Sequence, residues 1–145
     1  MPASRDIEIL NLVNTIAHQA TAGMQRALRA AELGLAATEA RTLRFVARHP
    51  GCTQSDIVRE SGRDKAQIAR VVKVLLERGE IQRLADEAGA QRHRLAVTPQ
   101  GEATHRQAES LRAAVAQGMV DELSAKERID LERLLRRISE RPPEG

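Results

Sequence analysis

Apolar positions recur at helical period toward both ends of the chain and switch to an alternating, strand-like period only near its centre. Ile7, Leu10, Val13, Ala17, Ala20, Met24, Ala27, Leu28 and Ala31 form one stripe, predicting a helix over residues 5–31. Ile9, Leu12 and Ile16 add a second stripe beside it. A face that wide is more than a small domain covers from within, and it predicts a helix from a second copy of the chain. Gly34 is the expected cap of this helix. Thr38 is expected to cap the next, which runs to Arg48 with Ala40, Leu43, Val46 and Ala47 inward, before His49-Pro50-Gly51 breaks it. Toward the other end, Thr98-Pro99 supplies a cap and a proline at the first helical position. A second long helix is expected from there to about Leu123, carrying Ala103, Ala108, Leu111, Val115 and Met119. Ser124-Ala125-Lys126-Glu127 matches a capping box for a last helix. That helix uses Ile129, Leu131, Leu134, Leu135 and Ile138 and stops at Pro142-Pro143.

Between these ends, residues 53–97 read as two short helices on a tight turn, followed by a hairpin. Thr53 is placed to cap the first helix, and Asp56 puts a carboxylate in its first turn, where the helix dipole favours it. Ser61-Gly62-Arg63 ends it, Gly62 being free to take positive φ. Asp64 starts the second helix, with Gln67 three residues on in a capping-box-like arrangement. Ile68, Val71, Val72, Leu75 and Leu76 then face inward, leaving Lys65, Gln67, Arg70 and Lys73 largely on the other side. Residues 81–84 and 92–97 complete a β-hairpin. The whole is a winged helix-turn-helix whose second helix has a cationic, amide-bearing outer face.

Charge sharpens this picture. The net charge is only +3, but residues 41–106 carry a net +5 and the segment on either side carries −1. The excess therefore coincides with the helix-turn-helix and wing, where phosphate neutralisation needs it. Phe45 is the single aromatic residue, with no Trp or Tyr, which disfavours modules that stack unpaired bases and favours duplex DNA. One cysteine, Cys52, permits no internal disulfide and suits a reducing compartment. No apolar run approaches the ~20 residues of a membrane span and no signal peptide is evident, so the expected location is the cytoplasm. Glycine-rich phosphate loops, nucleophile elbows and metal-ligand sets are missing from the sequence, and His18, His49, His93 and His105 are scattered. No enzyme, metal or cofactor is expected.

In order and spacing, several segments resemble the MarR family of bacterial transcriptional regulators. They are Leu33-Gly34-Leu35, Gly51-Cys52-Thr53-Gln54-Ser55-Asp56-Ile57, Gly62-Arg63-Asp64-Lys65, Leu76-Glu77-Arg78-Gly79, Leu95-Ala96-Val97-Thr98-Pro99-Gln100-Gly101 and Leu123-Ser124-Ala125-Lys126-Glu127-Arg128. The resemblance implies a mainly α single domain over 1–145, with dimerisation helices at 5–34 and 99–140 and a winged DNA-binding lobe at 38–98. It implies a homodimer on a palindromic operator, usually a repressor. It also implies a small-molecule effector, commonly an aromatic carboxylic acid, that releases the DNA. The chain departs from the family in the wing. Gly89-Ala90-Gln91 stands where an Asp-Arg pair is usual, leaving Arg92 or Arg94 to reach the minor groove and Asp86 or Glu87 to supply the acidic partner.

The expected DNA contacts follow. Lys65 and Arg70 donate to guanine, Gln67 pairs with adenine, and Ala66 lets the helix approach. Thr53, Gln54 and Ser55 open the preceding helix toward a phosphate, Lys73 meets another, and Arg92, His93 and Arg94 serve the wing. The resemblance places an effector between dimer helices and winged lobe, where His18, Met24, Arg41 and His49 are the candidates. Two alternatives stand beside this reading: a winged-helix protein-interaction module, and a redox-responsive regulator sensing through Cys52, whose place near a helix N-terminus would lower its pKa.

Overall fold

A computed structural model describes residues 2–85 and 93–142. The element order is α1 (Pro2–Ala30), α2 (Ala37–Arg48), α3 (Gln54–Ser61), α4 (Lys65–Glu77), β1 (Ile81–Leu84), β2 (Arg94–Val97), α5 (Pro99–Met119) and α6 (Ala125–Ser139). The strands pair antiparallel, with Ile81 opposite Val97 and Leu84 opposite Arg94. The mainly α, winged helix-turn-helix architecture is as expected. The wing also gains a strand-like partner that the apolar pattern does not signal. Cys52 bridges Leu95, with the Gly51 amide donating to the Leu95 carbonyl and the Leu95 amide to the Cys52 carbonyl, both at 2.8 Å. This ties the hairpin base to the entry of α3.

The main core lies inside the winged lobe. Leu43 and Val46 of α2, Ile57 of α3, Ile68, Val72 and Leu75 of α4, Ile81 of β1 and Leu95 of β2 are all buried and in one cluster. Each comes from the face its helical or alternating period selects, so the pattern sets which side of α4 is left for solvent. A smaller cluster of Leu28, Ala40 and Ala108 joins α1, α2 and α5. Here Gly23 lets α1 approach α5 closely, since a Cβ at that position would stand 3.3 Å from Val115 Cγ1.

Local capping chemistry sets most boundaries. The Asp56 amide donates to Thr53 Oγ1 at 3.2 Å and the Thr53 amide to Asp56 Oδ2 at 2.9 Å, a complete capping box. The Gln67 amide donates to Asp64 Oδ1 at 2.7 Å, and the Gly101 amide to Thr98 Oγ1 at 3.0 Å. The Ser124–Glu127 box forms at both halves, at 2.9 and 3.1 Å. Gly62 ends α3 with φ +67°.

Three boundaries differ from expectation. Thr38 lies inside α2; the cap residue is Ala36, whose amide donates to Glu39 Oε2 at 3.3 Å, so the N3 carboxylate supplies the side-chain bond that alanine cannot. The left-handed residue closing α1 is Glu32 at φ +55°, and Gly34 at φ +69° serves the turn beyond it. Leu33 donates to the Leu28 carbonyl and Glu32 to that of Arg29, the paired bonds of a Schellman closure. α5 stops at Met119, four residues early. Arg128 Nε donates to the carbonyls of Val120 and Leu123, satisfying groups that would otherwise continue the helix.

Toward its N-terminus α1 leaves the lobe. Ile7, Ile9, Leu10, Leu12, Val13 and Ile16 are exposed, as are Met119, Ile129, Leu131, Leu134, Leu135 and Ile138. The expected wide apolar face is present, and the described residues of the chain do not cover it.

Candidate nucleic-acid interface

The outer face of α4 carries the expected side chains. Lys65, Ala66, Arg70 and Lys73 are exposed and Gln67 is half-buried, while Ile68, Val71, Val72 and Leu75 hold the opposite face in the core. Asp64, by capping the helix through its side chain, leaves the Lys65 and Ala66 turn at the helix's leading end. Among the described residues neither Lys65 nor Arg70 forms an ion pair, and Lys73 Nζ lies a loose 4.0 Å from Glu77. These cations are free to meet an anionic partner.

The α3 entry is narrower than its sequence suggests. Its capping box occupies the Thr53 amide and the acceptor side of its hydroxyl, so Thr53 is committed to the cap. Gln54, half-buried, and Ser55, exposed, remain open to a phosphate. The Thr53 amide, donating to Asp56, holds that carboxyl below its ordinary range, with the Thr53 hydroxyl adding to the effect. Arg59 Nη2 donates to the same carboxylate at 2.6 Å. In the wing, His93 and Arg94 are exposed. Arg92, Asp86, Glu87 and Gly89 to Gln91 lie outside the described residues.

Cys52 does not fit the redox alternative. Its side chain is buried beneath the β-bridge, and burial pushes the thiol pKa up, with the Asp56 charge adding to the rise. A buried thiol held protonated is a poor nucleophile and a poor redox sensor.

Behind the helix-turn-helix, two adjoining cavities flank α2. The larger, about 540 Å³, lies between α1, α2 and α5 and brings His18, Met24 and Arg41 together. The smaller, about 320 Å³, lies between α2, α3 and α4. His49 stands apart from the first three: it lines the smaller cavity, its ring stacked on Phe45 at 4.2 Å and its Nδ1 3.0 Å from the Phe45 carbonyl. Arg44, Arg63 and Arg112 were not singled out by sequence, yet all three line the larger cavity beside Arg41. Burial lowers the Arg44 guanidinium pKa, and the Arg112 charge lowers it further. The signal that would have found part of this set is the Arg41, Arg44, Arg48 spacing, which puts three cations on one stripe of α2. Arg63 and Arg112 join it only through the tertiary fold.

Among the described residues no His, Cys, Asp and Glu cluster suits a metal, and no helix is long and apolar enough to cross a membrane. The fold and its cationic α4 define a winged helix-turn-helix protein. Residues 33–92 match the model of the MarR family, and the fold around them is the one that solved MarR family proteins share. The Mycobacterium tuberculosis MarR family protein Rv2887 in complex with DNA is 20% identical, with a TM-score of 0.74 over 88% of this chain and 94% of that one. The same protein in complex with p-aminosalicylic acid gives 21% and 0.77, over 89% and 96%. The transcriptional regulator SlyA gives 25% and 0.79, over 90% and 91%. No curated protein matches the sequence significantly.

Proposed function

We propose that the protein is a sequence-specific duplex-DNA-binding transcriptional repressor, a homodimer that sits on a palindromic operator and leaves it on binding a small organic acid. One observation carries the reading: the exposed Lys65, Arg70 and Lys73 lie on the face of α4 opposite its buried one. A protein-interaction module would more often present an apolar patch there. Likeness to Rv2887, solved with DNA and with p-aminosalicylic acid, supports both parts of the reading.

In this reading Lys65, Ala66, Gln67 and Arg70 meet base edges. Lys73, Gln54 and Ser55 meet phosphates, with Thr53 holding the α3 entry in shape. Arg92, His93 and Arg94 serve the wing. The apolar faces of α1, α5 and α6 pair with those of a second copy, which fixes the distance between two recognition helices. His18, Met24 and Arg41 line the effector cavity, and His49 lies beyond it. An occupied cavity would favour a spacing that no longer fits successive major grooves.

Selection of bound fragments from sheared genomic DNA, followed by footprinting, tests this. The expected result is a palindromic site with half-site centres about one helical turn apart. Arg70→Ala is then expected to cost about 1–3 kcal/mol on that site and little on scrambled DNA. No enrichment over bulk DNA, with binding that only fades as salt rises, would overturn the assignment.

A further inference from the structure

The two cavities on either side of α2 are one charged system. They share Arg41, Arg44 and Arg63, while Arg112 lines only the larger and Arg48 only the smaller. Each also has its own apolar surface: Met24 and Val115 in the larger, Phe45 and Ile57 in the smaller. Against these five guanidinium groups stand two carboxylates, Glu60 in the smaller cavity's wall and Glu109, which pairs with Arg112 at 3.2 Å. The excess is three positive charges. Among the described residues Arg41, Arg44, Arg48 and Arg63 form no ion pair.

Arg44 and Arg63 are half-buried and Arg41, Arg48 and Arg112 exposed. Crowding like charges around the half-buried pair is unfavourable, because each raises the cost of its neighbour where water screens less. Burial is the main cause of the lowered Arg44 pKa; the Glu109 charge opposes the shift, while the Arg112, Arg41 and Arg48 charges add to it, the same repulsion seen from one group. An anion bound there relieves it. A single carboxylate engages one guanidinium fork well and neutralises one charge, which leaves most of the excess in place. A ligand with two anionic groups neutralises two of the three charges and offers one group to each compartment. The stripe supports the same length: Arg41 to Arg48 spans about 10 Å along the helix axis.

We infer that the effector is an organic dianion that spans both compartments, one anionic group on each side of the Arg41, Arg44 and Arg63 ridge, with its apolar middle against the α2 surface. This rests on the effector reading above and names the chemical class of the ligand. Arg48 is the residue that distinguishes the spanning ligand from a monoacid held in the larger cavity alone.

The test is titration calorimetry on the full chain with matched acids: heptanoate against pimelate, benzoate against terephthalate, and inorganic phosphate as a compact dianion. Release of a selected DNA fragment is followed in parallel. The expected result is at least tenfold tighter binding for each dicarboxylate than for its monoacid, with phosphate weaker than both dicarboxylates. In Arg48→Gln the ratio of dicarboxylate to monoacid affinity should collapse toward one. Because the readout is a ratio within one variant, a general loss of fold does not imitate it. Equal affinity for monoacid and dicarboxylate would overturn the dianion inference and leave the effector reading standing. Phosphate binding as tightly as the dicarboxylates would overturn the spanning geometry, as would an unchanged ratio in Arg48→Gln. DNA binding that survives while none of the acids binds would overturn the effector reading and this inference together.

Discussion

Two residues show how closely single positions hold the lobe together. Gly101 sits in the first turn of α5, where a Cβ would stand 1.8 Å from the Glu80 carbonyl oxygen. That neighbour is backbone and itself accepts from the Thr98 amide at 3.1 Å, so it cannot rotate away. Gly101→Ala is therefore expected to part α5 from the start of β1 and cost about 3 kcal/mol. Thermal melting followed by circular dichroism would read this, and an unchanged midpoint would refute the close approach. Asp56 makes a prediction in pH. Its carboxyl is held below the ordinary range by the Thr53 amide, so the native state favours the charged form. The stabilisation is fully present above the unfolded carboxylate pKa and is lost as pH falls through the lower, folded value. The difference in melting temperature between the protein and Asp56→Asn should be largest near neutrality and shrink on acidification. A difference independent of pH would show that the cap charge contributes nothing.

At the scale of elements, one contact joins three of them. Arg78, just past α4, donates from Nε to Glu80 Oε1 at 2.6 Å and from its two Nη atoms to the carbonyls of Gly34 and Leu33, each at 3.0 Å. Glu80 is only 1% exposed, and among the described residues its Oε2 has no hydrogen-bond partner. α4 is thus tied at its far end to the α1–α2 turn, next to helices that wall the larger cavity. Arg78→Ala strands a buried carboxylate and should cost about 3 kcal/mol, the lower end for a buried pair because Arg78 is itself one-third exposed. Adding Glu80→Gln should recover a large part of that loss, and a strictly additive double variant would rule out the coupling. The same contact marks the limit of what the sequence reveals. Thr53 with Asp56, Gly62, and Ser124 with Glu127 were legible because each cap is complete within four residues. The buried face of α4 was legible because burial follows a period. Arg78 was invisible because its carbonyl partners lie more than forty residues away. The Cys52–Leu95 bridge, and the meeting of Arg63 and Arg112 beside α2, were hidden for the same reason.

For the whole molecule, the question is what covers the bare helices. Six large apolar side chains between Ile7 and Ile16 are 43–60% exposed, and five more lie along α6. An isolated helix of α1's N-terminal half would be marginal in water, since short helices gain their stability from packing an apolar face. Burying such a side chain fully is worth about 1.5–3 kcal/mol, so even partial coverage of this set outweighs the cost of association. A second copy offers the same faces by symmetry, and a closed two-fold pair would set one copy's apolar face against the other's. Ile16→Glu places a charge in the middle of the α1 face while touching nothing in the winged core. It is expected to shift the protein to a monomer in sedimentation velocity at micromolar concentration and to lower its helical content as the N-terminal half of α1 frays. Affinity for a two-half-site operator should fall at least tenfold, whereas affinity for a single half-site should change little, because α4 and its core are untouched. A variant that stays dimeric, or one that loses both affinities equally, would mean that α1 does something other than set the spacing of two recognition helices.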